Sequence, residues 1–218
     1  MRGEPLLVWG AGGHGRVVAD VVRAAGGVVL GFVDGDPSRL GSPVDGGGSV
    51  LSGEEALLAH LAEHGALPAG AAGVAPGIGS NAVRARLLAR LGPFAAGPLV
   101  HPAAWVSPSA RLGRGTVVMA GAVVNAGARV GEGVIVNTGA VVEHDCRVGD
   151  GVHLSPRATL CGAVEVGEGS WVCAGATVIP GVRVGARATV GAGAVALRDV
   201  ADDTTVAGCP AREIRKGR

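Results

Sequence analysis

The 218-residue sequence predicts two parts of different fold class, a small α/β domain over residues 1–98 and an all-β solenoid over residues 99–218. Three observations support this division. The first part alternates short apolar runs with helical patterns, whereas in the second part Val or Leu recurs every six residues. Aromatic residues make up only 2% of the chain although hydrophobic residues reach 48%, so the core requires regular stacking of small side chains.

Residues 1–98 predict a small parallel sheet with helices on its faces. The predicted order is strand 5–9, helix 16–25, strand 28–33, a helix to about residue 64, strand 71–75 and helix 81–91. Ser52 with Glu55 matches a capping box for the second helix, and Ser80 matches a cap for the third. Alternation of strand and helix indicates parallel strands, here only half of a doubly wound, Rossmann-like fold.

The turn GAGGHG at residues 10–15 joins the first strand to the first helix. Its glycine spacing matches the dinucleotide fingerprint, with Asp34 at about the right distance. Because the domain supplies only half of a doubly wound sheet, a mononucleotide or nucleotide sugar fits better than a dinucleotide, and a dehydrogenase is the least favoured reading. A tight turn without any ligand is the alternative. Residues predicted to hold the nucleotide and diphosphate are Gly12, Gly13, His14, Asp34 and Asp36.

The second part contains an unbroken six-residue repeat. Its anchors are Val100, Val106, Leu112, Val118, Val124, Val130, Val136, Val142, Val148, Leu154, Leu160, Val166, Val172, Val178, Val184 and Val190. A second period of 18 residues relates Gly113, Gly131, Gly149, Gly167 and Gly185. Three hexapeptides therefore form one coil, and successive coils stack at a strand spacing of roughly 4.8 Å.

One segment interrupts the small-residue repeat with three consecutive polar residues, Glu143, His144 and Asp145. Asp145 stands where the repeat usually places glycine, and a solvated corner is the alternative interpretation. A neutral imidazole is suited to accept a proton at physiological pH. Neighbouring side chains on a strand point apart, so Glu143 also remains a possible partner of His144. One coil further lies Gly162, whose missing Cβ would let a substrate approach its amide.

The repeats VGEGVI, VGDGVH, VGEGSW and VGAGAV resemble those of left-handed parallel β-helix acyltransferases. Together with GAGGHG, FVDGDP and the closing GCPAR, they make the chain similar to the sialic acid O-acetyltransferase and UDP-4-amino-sugar (bacillosamine, perosamine) N-acetyltransferase family of bacterial glycan biosynthesis. Residues 36–99 match that family only in element order. The resemblance implies a left-handed helix, acetyl-CoA as co-substrate, and a homotrimer with active sites between adjacent β-helices.

The resemblance also implies roles for individual residues. His144 would be the general base, Asp145 would raise its basicity, and the Gly162 N–H would polarise the acetyl carbonyl. Asn137 matches a polar family position near the catalytic histidine and is assigned to substrate binding. Contacts with acetyl-CoA are implied for His153, Gly162, Ala174 and Ala192, the last two stacked on Pro156. The basic residues Arg212, Arg215, Lys216 and Arg218 would meet CoA phosphates or form a solvated tail.

Composition excludes several other classes of function. A net charge of +1 indicates no nucleic-acid partner, and no apolar run approaches the roughly 20 residues of a membrane helix. The N-terminal apolar run is too short for a signal peptide, and four cysteines without a CxxC pair indicate a reducing, cytoplasmic compartment and no metal.

The sequence therefore predicts an acetyl-CoA-dependent N-acetyltransferase that acts on the amine of a nucleotide-linked amino sugar. A sugar O-acetyltransferase is the nearer alternative. A non-catalytic or metal-binding β-helix is the alternative of another class. Zinc would need three histidines at suitable spacing, and His101 stands more than two coils from His144.

Overall fold

The computed structural model describes residues 3–68 and 70–214 of the chain. It divides into two compact units, Met1–His101 and Pro102–Arg218, a boundary three residues beyond the predicted one.

The first unit is a four-stranded parallel sheet with three helices. Its elements in chain order are β1 (Pro5–Trp9), α1 (Gly13–Ala24), β2 (Val28–Asp34), β3 (Val50–Gly53), α2 (Glu54–His64), β4 (Gly73–Pro76), α3 (Asn81–Leu91) and the short β5 (Leu99–Val100). The sheet order is β3-β2-β1-β4, and every pairing is parallel. Trp9, Val33 and Leu57 lie in its buried core. The predicted α/β class is confirmed.

Strand β3 is the element that the sequence did not predict. Ser52 belongs to this strand, and its hydroxyl donates to the Gly53 carbonyl rather than capping a helix. Gly53 is the residue at the start of α2, so the predicted capping box is wrong. Four residues are too few to show the alternation of a strand, so the sequence pattern does not distinguish them from the helix that follows.

Helix α1 begins at Gly13, three residues before the predicted start. Gly12 is the N-cap in an extended conformation, and the Arg16 N–H already donates to its carbonyl at 3.1 Å. The glycine turn is therefore the first turn of the helix. The first turn of a helix is where backbone N–H groups can bind an anion.

The second unit is a coil of short parallel strands. These are β6 (Trp105–Val106), β7 (Arg111–Leu112), β8 (Val117–Val118), β9 (Val123–Val124), β10 (Arg129–Val130), β11 (Ile135–Val136), β12 (Val141–Val142), β13 (Arg147–Val148), β14 (His153–Leu154), β15 (Thr159–Leu160), β16 (Glu165–Val166), β17 (Trp171–Val172), β18 (Thr177–Val178), β19 (Arg183–Val184), β20 (Thr189–Val190), β21 (Val195–Ala196), β22 (Thr205–Ala207) and β23 (Arg212–Glu213). Within the repeat, each strand pairs in parallel with the strand 18 residues on, as Arg129 does with Arg147. The predicted parallel β-helix is confirmed.

Three faces result from this pairing. Face 1 contains β8, β11, β14, β17, β20 and β22; face 2 contains β6, β9, β12, β15, β18 and β21; face 3 contains β7, β10, β13, β16 and β19. The chain passes from face 2 to face 3 and then to face 1 in every coil. Strand β23 closes face 1 by pairing antiparallel to β22.

The hexapeptide anchors form the interior of the helix. From Val118 onward each anchor is at most 5% exposed, whereas Val106 and Leu112, in the first coil, are only half-buried. From Gly115 to Gly193, the corner residue three positions after each anchor has a left-handed backbone, with φ of +65° at Gly139 and +60° at Asp145. Asp145 thus occupies a conformation that glycine adopts at no cost, although Asp tolerates it better than most residues.

The 18-residue glycine period reflects close approach of successive coils. A Cβ on Gly149 would lie 2.7 Å from the Glu168 nitrogen, and one on Gly167 would lie 2.5 Å from the Ala186 nitrogen. No side chain fits at these positions of face 3. The period is therefore a packing requirement of the fold and assigns no function.

Candidate active site

His144 and Asp145 lie in the corner between faces 2 and 3, directly after β12. Their side chains meet, with His144 Nδ1 at 3.0 Å from Asp145 Oδ2. The rule that neighbouring side chains point apart applies to strands, and this pair lies in a turn. The left-handed backbone of Asp145 brings its carboxylate beside the imidazole.

This contact determines which imidazole nitrogen carries the proton. An ionised carboxylate can only accept hydrogen bonds, so Nδ1 is the protonated nitrogen of neutral His144. Its Nε2 then keeps a free lone pair. A histidine in this tautomer is able to accept a proton from an attacking nucleophile.

Glu143 contacts different groups. Its Oε2 accepts from Asn125 Nδ2 at 2.9 Å and from the His144 backbone N–H at 3.4 Å. Geometry therefore favours Asp145 over Glu143 as the partner of the imidazole. Asn125, which the sequence analysis did not assign to the site, holds the Glu143 carboxylate from one coil away.

Gly162 lies against the His144 ring. A Cβ at Gly162 would be 2.6 Å from both Nε2 and Cε1 of His144, so no larger residue fits beside this imidazole. Within the described part of the chain, the Gly162 N–H has no hydrogen-bond acceptor, whereas its carbonyl accepts from the Gly181 N–H at 3.0 Å. The structure thus places the backbone of Gly162, whose N–H makes no hydrogen bond within the described residues, next to Nε2 of His144.

His153 belongs to a separate cluster on face 1. Asn137 Nδ2 lies 3.1 Å from His153 Nε2, and the Thr138 N–H donates to Asn137 Oδ1, which fixes the orientation of the amide. Trp171 stacks on the His153 ring with centroids 5.7 Å apart and planes 6° from parallel. Its indole N–H donates to Ser155 at 2.7 Å. Trp171 was not predicted as part of a site, although it follows the VGEGS repeat in the same column as His153.

Within one chain Asn137 contacts His153 and not His144, and its expected place near the base stays a prediction. Strand β12 separates Asn137 from His144 along the chain, and β13 separates His144 from His153. The predicted column of small residues lies at the corner between faces 1 and 2. There the Gly175 N–H donates to the Pro156 carbonyl and the Gly193 N–H to the Ala174 carbonyl, and the side chains of Pro156, Ala174 and Ala192 are exposed.

The basic tail can be located only in part. Arg212 is exposed in β23. Arg215, Lys216 and Arg218 lie outside the described residues, and their predicted contact with CoA phosphates stays a prediction.

In the first unit, the four glycines of the GAGGHG turn have two different roles. A Cβ on Gly15 would collide with the Gly10 carbonyl oxygen, and a Cβ on Gly10 would lie 2.7 Å from the Gly77 oxygen. At Gly12 and Gly13 a Cβ would meet nothing within 4 Å. Gly10 and Gly15 therefore allow β1, α1 and the loop after β4 to pack closely, whereas Gly12 and Gly13 leave space in front of the amides.

Asp34 and Asp36 shape the loop after β2. Asp34 accepts from the N–H groups of Ala11 at 2.8 Å and Asp36 at 3.0 Å, and forms an ion pair with Arg39 at 3.1 Å. Asp36 caps a short 3₁₀ turn through Ser38, whose hydrogen bonds lower the pKa of the Asp36 carboxyl. Both predicted nucleotide ligands thus hold protein groups, and Asp34 connects the first two loops of the sheet edge.

His14 is half-buried beside a fully buried arginine. Burial, followed by the positive charge of Arg84, lowers the pKa of His14 to about 4, so the imidazole is neutral at physiological pH. Arg84 donates to the carbonyls of Ile78 at 3.0 Å and Gly79 at 3.1 Å, and holds the loop after β4. Sequence reasoning missed Arg84, for which the only signal was a charge on the apolar face of α3.

A cavity of about 330 Å³ opens beside the glycine turn. Trp9 and Gly10 contribute the end of β1, Asp34 and Glu54 contribute carboxylates, and Arg90 of α3 borders it. It lies at the carboxyl ends of parallel strands, where open α/β sheets bind ligands.

Within residues 3–68 and 70–214, no group of three or more His, Cys, Asp or Glu side chains is arranged to hold a metal ion. No helix in this part of the chain combines the length and apolarity needed to cross a membrane.

Comparison with known proteins identifies both units. The PglD N-terminal domain model matches residues 5–91, and the bacterial transferase hexapeptide model (six repeats) matches residues 127–162. A comparison with curated proteins gave no match.

Several solved structures are similar to the whole chain. PerB from Caulobacter crescentus, in complex with CoA and GDP-perosamine, is 42% identical with a TM-score of 0.85, over 98% of this chain and 97% of that one. A perosamine N-acetyltransferase from the same bacterium, with asparagine replacing one histidine, is 42% identical with a TM-score of 0.86 over the same shares. The acetyltransferase domain of PglB from Neisseria gonorrhoeae, in complex with acetyl coenzyme A, is 41% identical with a TM-score of 0.85, over 97% of this chain and 100% of that one.

These identities extend over nearly the full length of both chains, and the resemblance in the sequence motifs is confirmed. The chain belongs to the family of hexapeptide-repeat sugar acetyltransferases that includes perosamine N-acetyltransferase and the acetyltransferase domain of PglB.

Proposed function

We propose that the protein transfers the acetyl group of acetyl-CoA to the amine of a nucleotide-linked amino sugar. The observation that supports this most directly is the arrangement at the corner between faces 2 and 3. The His144 Nε2 lone pair lies beside the Gly162 backbone, and Asp145 fixes the imidazole from its other side. Base, orienting acid and amide donor are the groups that acyl transfer from a thioester requires.

The reaction follows from this geometry. The sugar amine attacks the thioester carbonyl while His144 Nε2 accepts a proton from the nitrogen. Asp145 stabilises the resulting imidazolium through Nδ1–H. The Gly162 N–H donates to the carbonyl oxygen as negative charge develops on it. Collapse of the tetrahedral species breaks the carbon–sulfur bond, releases the CoA thiolate and leaves the N-acetyl sugar.

The first unit would hold the nucleotide. The open amides of Gly12 and Gly13 at the start of α1 suit the diphosphate. His14, neutral because of burial and Arg84, would contribute a hydrogen bond rather than a charge. The cavity between β1, β2 and α3 has room for part of the nucleoside beside Asp34. Asp36 would contribute indirectly, because its side chain caps the short 3₁₀ turn that follows β2.

A homotrimer would complete the site. His144 lies at the corner between faces 2 and 3, whereas Asn137, His153, Ala174 and Ala192 lie on face 1 or at its corner with face 2. We therefore infer that the catalytic corner of one copy faces the acetyl-CoA groups of a neighbouring copy. Trp105 on face 2 and Trp171 on face 1 are 59% and 47% exposed in the single chain. Large aromatic side chains are enriched at protein–protein interfaces, so their exposure supports contact with a neighbouring copy.

The acceptor is tested by thiol release from acetyl-CoA with GDP-, UDP- and dTDP-linked 4-amino sugars. The proposal predicts turnover on one of them, with a product heavier by one acetyl group in mass spectrometry. GDP-linked 4-amino sugars come first because the relatives at 42% identity include a perosamine N-acetyltransferase. If sialic acid is acetylated and none of the amino sugars is, the acceptor group is a hydroxyl and not an amine. Lack of turnover with every acceptor would overturn the proposal.

A further inference from the structure

Three small inward side chains bridge successive coils in the same way. Thr116 Oγ1 donates to the Gly131 carbonyl at 2.7 Å, and Ser170 Oγ donates to the Gly185 carbonyl at 2.5 Å. Cys146 Sγ donates to the Cys161 carbonyl at 3.1 Å. Each bridge spans 15 residues. It runs from the residue directly before one strand to the residue directly after another strand in the next coil.

The two hydroxyl bridges and the thiol bridge lie at different corners. Thr116 and Ser170 precede strands of face 1, and each hydroxyl also accepts a backbone N–H from the next coil. Cys146 precedes a strand of face 3, at the corner that carries His144. The inward residues one coil away in its column are Ala128 and Val164, whose side chains cannot donate a hydrogen bond. The thiol bridge therefore occurs at the coil pair that holds the candidate active site.

The carbonyl that Cys146 contacts belongs to the same peptide group as the Gly162 N–H. A trans peptide is planar, and its C=O and N–H point in opposite directions. Holding the oxygen from the interior therefore fixes the direction of the N–H on the outside, where the His144 ring lies. A hydrogen bond to the carbonyl also polarises the peptide and strengthens its N–H as a donor.

We propose that Cys146 is a positioning residue that orients the Cys161–Gly162 peptide so that its N–H meets the oxyanion of acetyl transfer. This inference rests on the proposed function, which assigns the oxyanion to Gly162. Burial raises the pKa of the Cys146 thiol to about 11, so the thiol keeps its proton, and with it the hydrogen bond, at neutral pH.

Three substitutions at Cys146 separate the hydrogen bond from packing. Cys146→Ala and Cys146→Val remove the donor and introduce residues already found in the same column at Ala128 and Val164. Cys146→Ser keeps a donor of the kind that Ser170 uses. We expect kcat to fall about 5- to 10-fold in the first two variants with KM for acetyl-CoA within about twofold, and to return to within about twofold of wild type in Cys146→Ser.

Thr116→Ala is the matched control, because it removes the same kind of bridge more than one coil before His144 and outside the His153 and Trp171 cluster. Its kcat should equal that of wild type. The ¹⁵N–¹H resonance of Gly162 provides a readout besides activity: it should shift in Cys146→Ala and return towards wild type in Cys146→Ser. Thermal unfolding of every variant checks that the fold persists.

Wild-type kcat in both Cys146→Ala and Cys146→Val, or an equal loss in Thr116→Ala, would overturn the positioning role. Failure of the proposed function would look different, since the wild-type protein itself would then transfer no acetyl group. An unchanged Gly162 resonance in Cys146→Ala would also contradict the inference, whatever the activity.

Discussion

The imidazole of His144 lies directly against the α-carbon of Gly162, eighteen residues further along the chain and one coil away. The absence of a side chain at 162 is what allows a base and a free amide to share one small volume. In many corners of the helix glycine is required because φ is positive, but Gly162 does not have a positive φ. Its identity is therefore explained by the neighbouring histidine and not by the backbone.

Gly162→Ala should lower kcat by about 100-fold, because the added methyl would lie 2.6 Å from His144 Nε2 and displace the ring. The backbone at 162 accommodates alanine, so the melting temperature should change little. Steady-state kinetics with thermal unfolding checks this. Wild-type kcat in Gly162→Ala would contradict the requirement for the present position of the His144 ring.

Asp145→Asn should reduce kcat at least about tenfold, because the amide no longer stabilises the imidazolium at Nδ1. Asparagine also tolerates the left-handed backbone, which isolates the effect from folding. Glu143→Gln is the comparison, and its kcat should fall less, since Glu143 contacts Asn125 rather than the ring. A larger loss in Glu143→Gln would reverse the assignment of the supporting acid.

The two kinds of glycine in the GAGGHG turn should respond differently to alanine. Gly15→Ala should destabilise the first unit by about 2–3 kcal/mol, because its Cβ collides with the Gly10 carbonyl. Gly12→Ala should fold normally and raise KM for the nucleotide sugar about tenfold, because the methyl occupies the approach to the amides. Urea unfolding and steady-state kinetics of both variants provide the test. Normal stability in Gly15→Ala would contradict the packing role.

His14 should make the first unit less stable in acid. Its pKa is about 4 when folded, against an ordinary value of 6.5, so the unfolded chain binds a proton more tightly. Stability should be greatest above pH 6.5 and fall by about 3 kcal/mol as the pH drops to 4. Unfolding can be followed by Trp9 fluorescence in a Trp105→Phe, Trp171→Phe background. In His14→Gln this part of the pH dependence should disappear, and an unchanged slope would refute it.

The β-helix could be predicted from the sequence because each hexapeptide repeats one local environment. Val142, Val148 and Leu154 are buried for the same reason, and one period gives all their neighbours. The same period placed Gly162 one coil above His144. Strand β3 was missed because four residues carry too little pattern, and the Ser52 capping box failed with it.

Side-chain pairings were harder to predict than positions. The Asp145 contact depends on a left-handed turn, and the Asn137 contact depends on which face each strand joins. The bridge from Cys146 to Cys161 was invisible in the sequence, where Cys146 is only another small residue of the interior. Arg84 was missed because a buried guanidinium satisfied by loop carbonyls leaves no motif.

The most direct test of the account is the turnover number of His144→Ala with acetyl-CoA and the amino-sugar acceptor that the wild-type enzyme uses. The account predicts a loss of at least about 100-fold in kcat, with acetyl-CoA affinity retained, because the variant lacks the base that accepts the amine proton. Turnover within a few-fold of wild type would contradict the central role given to His144.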